Sequence, residues 1–130
     1  MICECKLTVR TYECDSYGHV NNANYLNYLE YARHEFLRDV GFNYQSMIKA
    51  GYGIYVARVE IDYVKPALAD DDLLIKSWSL KKGAVSGIIG QEIWRKDVLL
   101  ARAKVTWAFV DSKGQPTKVP PEWDTPGLSP

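Results

Sequence analysis

One amphipathic helix stands in a chain whose other regular patterns are those of strands. From Tyr25 to Val40, apolar residues recur at steps of four, three, four and four, which draws one stripe along about 17 helical residues. Asn21 or Asn22 can cap its start, because a short side-chain oxygen accepts the free N–H groups of the first turn. Gly41 fits just past its end. A stripe of this length needs a broad partner, and a sheet is the natural one.

The other patterned segments alternate apolar and polar residues with the period of half-buried strands. In the second strand, the odd positions from Tyr55 to Tyr63 form the apolar face, and Gly83 suits a hairpin between the third and fourth strands. A strand, a helix and four more strands predict an α+β domain. One helix covers only one face of a sheet, and dimer formation would hide the other. The predicted strands span residues 3–12, 54–64, 73–81, 84–95 and 98–110.

The length of 130 residues predicts a single domain, 1–130. The composition shifts from about residue 112 onward, where five of the six prolines lie. We expect the last ten or so residues of this Pro-rich tail to be loosely held.

The charge balance and the cysteines limit the partners and the compartment. Lys plus Arg and Asp plus Glu both number 16, which argues against a dominant nucleic-acid surface but leaves room for a local phosphate site. The N-terminus carries a charge at Glu4 and no long apolar run, so we predict neither a signal peptide nor a membrane span. Three cysteines, an odd number, favour reduced thiols and a cytoplasmic protein.

The stretch CDSYGHVNNANYLNYLEYAR, residues 14–33, places polar groups at the start of the helix. Asp15 lies a few residues before it, and Gly18 frees the backbone between them. The first N–H groups of a helix lack internal partners and carry about half a positive charge, so they suit an oxygen that gains negative charge. A carboxylate facing them could attack the carbon of a bound carbonyl or activate a water. This pattern predicts an acyl-transfer site built without serine, cysteine or metal.

Each of these residues alone also has a simpler interpretation. Asp15 could be a turn residue that bonds its own backbone, and His19 could be a packed or solvated histidine. Asn21 and Asn22 could be ordinary caps, and tyrosines at helical spacing are often core residues. Cys14 is a weak candidate for a thiol nucleophile, because it ends a strand with no basic residue at an obvious helix start.

The combination DSYGHVNNANYLNYLEYARHEFL closely resembles the signature of the hotdog-fold acyl-CoA thioesterases, in the group that includes hydroxybenzoyl-CoA thioesterase and the short bacterial acyl-CoA thioesterases. The resemblance continues through VEIDYVKPALADDDLLI and covers about residues 5 to 112. It implies a hotdog fold, a five-stranded antiparallel sheet wrapped around one long helix. It further implies dimers with one continuous sheet, often paired into tetramers, and active sites at the dimer interface.

The resemblance also implies roles for individual residues. Asp15 matches the catalytic carboxylate, as nucleophile or general base, and Gly18 matches the glycine of its loop. Asn22 matches the residue whose backbone N–H faces the thioester carbonyl, and Ala23 is a weaker second donor. His19 fits the variant of the motif in which a histidine orients the carboxylate or the substrate.

Candidate contacts with coenzyme A and the acyl chain follow from the same resemblance. Lys81 and Lys82, in the turn LKKGAVSG, are candidates for the phosphates, although they could also be solvated hairpin lysines. Lys65 is a weaker candidate in its Lys-Pro turn. The acyl chain could be lined by tyrosines that are equally plausible core residues, namely Tyr25, Tyr28, Tyr55 and Tyr63.

The predicted function is hydrolysis of acyl-CoA thioesters to free acid and coenzyme A, with no metal or organic cofactor. The predicted partners are the acyl-CoA substrate and further copies of the chain, as a dimer or tetramer, without nucleic acid or membrane. Three alternatives remain: a thioesterase acting on acyl carrier protein, a non-catalytic acyl-CoA binder, and a hydroxyacyl-thioester dehydratase on the same fold.

Overall fold

The computed structural model describes all residues, 1–130, and its single sheet wraps around one long helix. The elements are β1 (Ile2–Thr8), α1 (Asn22–Asp39), α2 (Tyr44–Lys49), β2 (Gly53–Tyr63), β3 (Asp72–Lys82), β4 (Ser86–Arg95) and β5 (Val98–Val110). The sheet is antiparallel with strand order β1-β3-β4-β5-β2, which confirms the predicted α+β architecture. Neither α1 nor α2 has the length and apolar character needed to cross a membrane.

Both ends of α1 follow the sequence signals. Of the two candidate caps, Asn21 is the one used: its side-chain oxygen accepts the N–H of Ala23 at 3.0 Å. Gly41 lies just past the end with φ +81°, a left-handed conformation that glycine adopts without strain. The short helix α2 is not predicted by the sequence pattern. Its six residues are too few to show a stripe, yet Met47 within it is fully buried.

The apolar stripe of α1 packs against the concave face of the sheet. The buried residues on this helix are Tyr25, Tyr28, Leu29, Ala32, Phe36 and Leu37. Each large side chain buried in this way contributes roughly 1.5–3 kcal/mol. Gln91 of β4 is fully buried beneath the helix, and its side-chain NH₂ donates to the Leu29 carbonyl and to the Ser77 hydroxyl, both at 3.0 Å.

Three breaks in strand register curve the sheet around α1. They fall between Val56 and Arg58, between Ser79 and Lys81, and between Ile93 and Trp94. A bulge bends its strand and increases the local twist, so three of them let long strands enclose a cylinder.

The bulge in β2 makes one prediction wrong. The predicted apolar face runs through all odd positions, but Tyr55 is 60% exposed. Ile54 and Val56 oppose Phe109 and Trp107 of β5, whose side chains are buried in the core. The extra residue at position 57 shifts the alternation, so the odd positions lie on the concave side only from Val59 onward. Val59 and Tyr63 remain partly exposed there, because β2 is the edge strand.

The C-terminal segment is also different from the prediction, because it is packed rather than loosely held. Val119, Trp123 and Leu128 are exposed by only 8%, 3% and 2%. The indole N–H of Trp123 donates to the Ser46 hydroxyl at 3.0 Å, and the Ser79 hydroxyl donates to the Leu128 carbonyl. Three well-spaced apolar side chains anchor the segment in spite of its prolines.

The outer face of the sheet carries a row of charged side chains across its strands. Directly opposed residues across all five strands alternate in charge: Glu4, Lys76, Glu92, Arg102 and Asp62. Opposite charges at facing positions stabilise a sheet by about 0.2–1 kcal/mol per pair.

This row of opposed charges predicts the effect of reversing the charge of Arg102. Arg102→Glu would place an acid between Glu92 and Asp62, and we expect the free energy of unfolding to fall by about 1–2 kcal/mol. Added salt should recover part of the loss, because it screens exposed charges. Urea unfolding at low and high salt measures both effects. Lys118→Glu, an equal charge change on an exposed loop, is the control, and an equal loss in the two variants would contradict the prediction.

Candidate active site

The loop before α1 is a tight hairpin that closes on itself. Cys14 and Val20 form an isolated antiparallel bridge, and the N–H of Asp15 donates to the His19 carbonyl at 2.7 Å. The N–H of Gly18 donates to the Asp15 carbonyl at 3.0 Å, and Gly18 has φ +79°. A side chain at position 18 would be strained, so the predicted glycine of the loop has a geometric reason.

The Asp15 carboxylate has one oxygen engaged and one available. Its Oδ1 accepts the N–H of Tyr17 at 2.9 Å and the N–H of His19 at 3.2 Å. Its Oδ2 has no hydrogen-bond partner in the chain. Asp15 is therefore a turn residue in the sense that its Oδ1 binds the backbone of its own loop. These two bonds also fix the direction in which Oδ2 points.

A second loop has the same construction and serves as an internal reference. The Oδ1 of Asp111 accepts the N–H groups of Lys113 and Gln115 at 2.9 and 3.0 Å, and Gly114 has φ +76°. The two loops read DSYGH and DSKGQ. The loop geometry alone is thus a structural motif, and what sets Asp15 apart is the helix start beside it.

The first turn of α1 offers one free donor. The backbone N–H of Asn22 has no hydrogen-bond partner in the chain, whereas the N–H of Ala23 is taken by the Asn21 side chain. Of the two donors expected from the sequence, Asn22 is the one available to a ligand.

A cleft of about 380 Å³ brings most of the expected residues together. Asp15, His19, Asn22 and Tyr25 all line it, and Lys65 joins them from the loop after β2. Gly18 lies in the adjoining loop, and Ala23 follows in the helix. The other lining residues are Val20, Asn21, Tyr63, Val64 and Pro66.

Two tyrosines form a wall of this cleft. Tyr25 is 3% exposed, its hydroxyl oxygen accepts the N–H of Ala67 at 2.9 Å, and its ring meets that of Tyr63 edge-on at 5.1 Å. Burial raises the pKa of Tyr25, and the bond from Ala67 lowers it in part. The Tyr63 hydroxyl donates to the Asn22 carbonyl at 3.2 Å, which fixes the end of β2 against the helix start.

Glu13 is a residue that the sequence analysis missed. It is 8% exposed, and its Oε1 accepts the Tyr28 hydroxyl and the Arg10 N–H, both at 2.8 Å. Its carbonyl accepts the N–H of Asn21 at 2.8 Å. Burial raises the pKa of Tyr28, and the bond to Glu13 raises it further, so the hydroxyl stays protonated as a donor. Glu13 therefore connects the Asp15 loop to α1. The sequence pattern could not predict this contact, because an isolated acidic residue gives no indication of a distant partner.

Lys81 and Lys82 lie far from this cleft within one chain. They end β3, whereas His19 bridges Leu68 just before β3 begins, so about 30 Å of strand separates them. The Lys82 ammonium lies 3.4 Å from Asp124 and donates to the Gly83 carbonyl at 2.8 Å. Lys81 is exposed and forms no ion pair.

Cys14 has the features of an unreactive thiol. Burial raises its pKa, and the neighbouring carboxylates of Asp15 and Glu13 raise it further, so the nucleophilic thiolate is disfavoured. No group of three or more His, Cys, Asp and Glu side chains is placed to hold a metal ion.

Comparisons with known proteins agree with this architecture. Residues 9–125 match the family model described as the thioesterase-like superfamily. The chain is 35% identical over 112 residues to the long-chain acyl-CoA thioesterase FadM of Escherichia coli, covering 85% of this chain and 84% of that protein. It is 28% identical over 127 residues to a chloroplastic acyl-acyl carrier protein thioesterase of Arabidopsis thaliana, covering 90% of this chain. The chain spans only 63% of that plant protein's length.

Solved structures confirm the predicted hotdog fold. A probable thioesterase from Bartonella henselae superposes with a TM-score of 0.87 at 29% identity, covering 92% of this chain and all of that one. A 4-hydroxybenzoyl-CoA thioesterase gives a TM-score of 0.86 at 20% identity, which is a likeness of fold. With the family match, the identity to its relatives and the shared fold, the chain belongs to the thioesterase-like superfamily.

Proposed function

We propose that this protein hydrolyses acyl-CoA thioesters to a free acid and coenzyme A. The observation that carries the proposal is that the Asp15 carboxylate and the unpaired N–H of Asn22 line one cleft. Relatives named as acyl-CoA thioesterases support the substrate class. The relative named for acyl carrier protein supports a second candidate, in which the same reaction acts on an acyl group carried by that protein.

The mechanism assigns each group one task. The Asn22 N–H donates to the thioester carbonyl oxygen and stabilises the negative charge that grows on it. Oδ2 of Asp15 either attacks the carbonyl carbon, giving an anhydride that water then cleaves, or takes a proton from the attacking water. In both routes one water is consumed, the C–S bond breaks, and the thiolate leaves as coenzyme A thiol after protonation.

The remaining candidate residues orient these groups. The backbone N–H of His19 helps to hold Oδ1 of Asp15, and its side chain lines the cleft where it can orient the substrate. Gly18 permits the loop, Tyr25 forms the wall, and Asn21 occupies the N–H of Ala23. We therefore assign Ala23 to lining the substrate path rather than to polarising the carbonyl.

We further propose that two chains pair through β2. This edge strand is eleven residues long and exposes Tyr55, Val56, Val59 and Tyr63 by 60%, 50%, 36% and 49%. Long apolar edges are aggregation sites unless something pairs with them. A two-fold axis near the bulge would set the strands antiparallel and give one ten-stranded sheet, in a dimer that can pair again into a tetramer.

Antiparallel pairing also explains how distant lysines could serve the cleft. Tyr63, at the cleft end of β2, would lie beside the Gly53 end of the partner strand. Gly53 opposes Val110, at the end of the sheet where β3 finishes. The exposed Lys81 of one chain thus approaches the other chain's cleft and is the better candidate for a coenzyme A phosphate, because Lys82 is paired with Asp124.

Three free thiols support a cytoplasmic site of action.

The first prediction from the proposed function concerns Asp15. Asp15→Asn keeps an oxygen for the N–H groups of Tyr17 and His19 but loses the charge needed for attack, so we expect turnover to fall at least about 10²-fold with the fold intact. Thiol release from a panel of acyl-CoAs measures it. Asp111→Asn changes the matched loop and should leave turnover unchanged. Full activity in Asp15→Asn would refute the mechanism.

The second prediction concerns Glu13 as a positioning residue. Tyr28→Phe removes the hydroxyl that holds Glu13, leaving the loop less firmly fixed. We expect kcat to fall about tenfold with KM nearly constant, and the free energy of unfolding to fall by about 1–3 kcal/mol. Glu13→Gln keeps an acceptor for Tyr28 and should retain more activity than Glu13→Ala. Equal kcat values in Tyr28→Phe and wild type would contradict the assignment.

The third prediction concerns the β2 edge. Val59→Asp places a charge in the proposed pairing region, so we expect analytical ultracentrifugation to show a shift to monomer and the thiol-release assay a matching loss of activity. Ile48→Asp on α2, where the side chain is 57% exposed, is the matched control. An unchanged oligomer in Val59→Asp would rule out pairing through this strand.

A further inference from the structure

The Asp15 cleft contains one basic side chain that has no role in the reaction as described so far. Lys65 is the only lysine or arginine among the ten residues that line the cleft. It is exposed, and no carboxylate lies within 4.0 Å of its ammonium group. No ion pair within the chain neutralises its charge, so its three N–H donors are available to a bound ligand.

The backbone on both sides of Lys65 is held by hydrogen bonds. Before the side chain, the N–H groups of Val64 and Lys65 donate to the Leu100 carbonyl at 2.8 and 3.1 Å. After it, the Pro66 carbonyl accepts Nη1 of Arg95 at 3.2 Å. The position from which the lysine side chain enters the cleft is therefore fixed, although the side chain itself is exposed.

The same loop is bonded to the hairpin that carries the carboxylate. The N–H of Ala67 donates to the Tyr25 hydroxyl at 2.9 Å, and its carbonyl accepts the N–H of Val20 at 2.8 Å. Leu68 forms an isolated antiparallel bridge with His19. The loop that bears the lysine and the hairpin before α1 thus form adjoining parts of one cleft wall.

The two opposite charges of the cleft do not close into an ion pair. Asp15 and Lys65 line the same cleft, yet their charged atoms lie more than 4.0 Å apart. This separation leaves room for a polar group between them. A thioester whose carbonyl oxygen meets the Asn22 N–H, and whose carbon meets Oδ2 of Asp15, has its sulfur as the remaining reacting atom.

The departing sulfur needs a proton most when Asp15 attacks as a nucleophile. The tetrahedral intermediate then holds two leaving groups, and a carboxylate is a much weaker base than an alkyl thiolate. The intermediate returns to substrate unless the sulfur becomes the better leaving group, and protonation of the sulfur achieves this. Alkyl thiols and ammonium groups both lose their protons in the basic pH range, so proton transfer between them is nearly balanced.

We infer that Lys65 protonates the departing sulfur and is a third catalytic residue; this rests on the proposed function and extends its mechanism. As the C–S bond breaks, its electron pair goes to sulfur, and a proton moves from the Lys65 ammonium to sulfur to give the thiol. Water supplies the hydroxyl group of the free acid, which releases a proton, and the lysine amine regains one from solvent. The sequence suggested a phosphate contact instead, but the phosphates of coenzyme A lie at the opposite end of its pantetheine arm from the thioester.

The test varies the leaving group on one acyl group that wild type hydrolyses. The three thioesters are those of coenzyme A, of N-acetylcysteamine, which has no phosphate, and of thiophenol, whose weakly basic thiolate leaves without a proton. We expect Lys65→Met to lower kcat/KM about tenfold or more for the first two and less than about twofold for the third. Lys113→Met, which removes an exposed lysine from the matched Asp111 loop, should leave all three values unchanged.

A second variant separates proton transfer from charge. Lys65→Arg keeps the positive charge but holds its proton too tightly to donate it, so we expect it to restore little of the lost activity. Full recovery in Lys65→Arg overturns the inference, because charge alone would then suffice. His19→Gln tests the other titratable side chain of the cleft, and the same leaving-group pattern in that variant instead of in Lys65→Met also overturns it.

The remaining outcomes distinguish this inference from the proposed function. Equal slowing of all three thioesters in Lys65→Met would indicate a structural role, and a loss confined to the coenzyme A thioester would indicate a phosphate contact. Either result, or unchanged rates in Lys65→Met, overturns the role of Lys65 and leaves the proposed function standing. If wild type hydrolyses none of a panel of thioesters, the proposed function fails and the role of Lys65 fails with it.

Discussion

The packing of α1 against the concave face of the sheet is the constraint on which the rest of the structure depends. One helix supplies the apolar cover for strands of up to thirteen residues, so the sheet must bend around it, and the three bulges supply that bend. Because the stripe of α1 faces the sheet, its first turn lies at one end of the core. There the free N–H of Asn22 meets solvent instead of a neighbouring element.

The loop that delivers Asp15 to this helix start is a local structure with a long-range anchor. The Asp111 loop shows that an Asp-Ser-x-Gly sequence closes in this way without a helix beside it. What the Asp15 loop adds is the contact of Glu13 with Tyr28, which holds it to the same helix that donates the Asn22 N–H. The Asp15 carboxylate and the Asn22 N–H thus share one support, and their separation depends on the packing of α1 rather than on the loop alone.

The α+β fold and the grouping of Asp15, His19 and Asn22 around one cleft could be predicted, because they depend on local patterns. The stripe of α1, its cap region and Gly41 are read from residue spacing, and the motif around Asp15 indicates both family and cleft. The bulge at position 57 could not be predicted, since an inserted residue leaves the apolar composition of β2 unchanged while reversing its faces. The packing of Trp123 and the burial of Glu13 are likewise contacts between distant parts of the chain that no local spacing encodes.

The β2 strand takes part in both the fold and the Asp15 cleft. In a single chain, its outer edge is not covered by another element. Its exposed apolar residues continue into the Asp15 cleft, where Tyr63 forms a wall. Natural edge strands are usually short, charged or covered. This one has eleven residues and exposes tyrosine and valine side chains beside its charged Arg58, Glu60 and Asp62. The bulge places Ile54 and Val56 on the concave side of the sheet, yet Val56 stays half exposed because it lies on the edge strand. In the proposed dimer, a partner strand laid along it would shield this edge and bring the exposed Lys81 of one chain toward the Asp15 cleft of the other, so the complete site would belong to the pair.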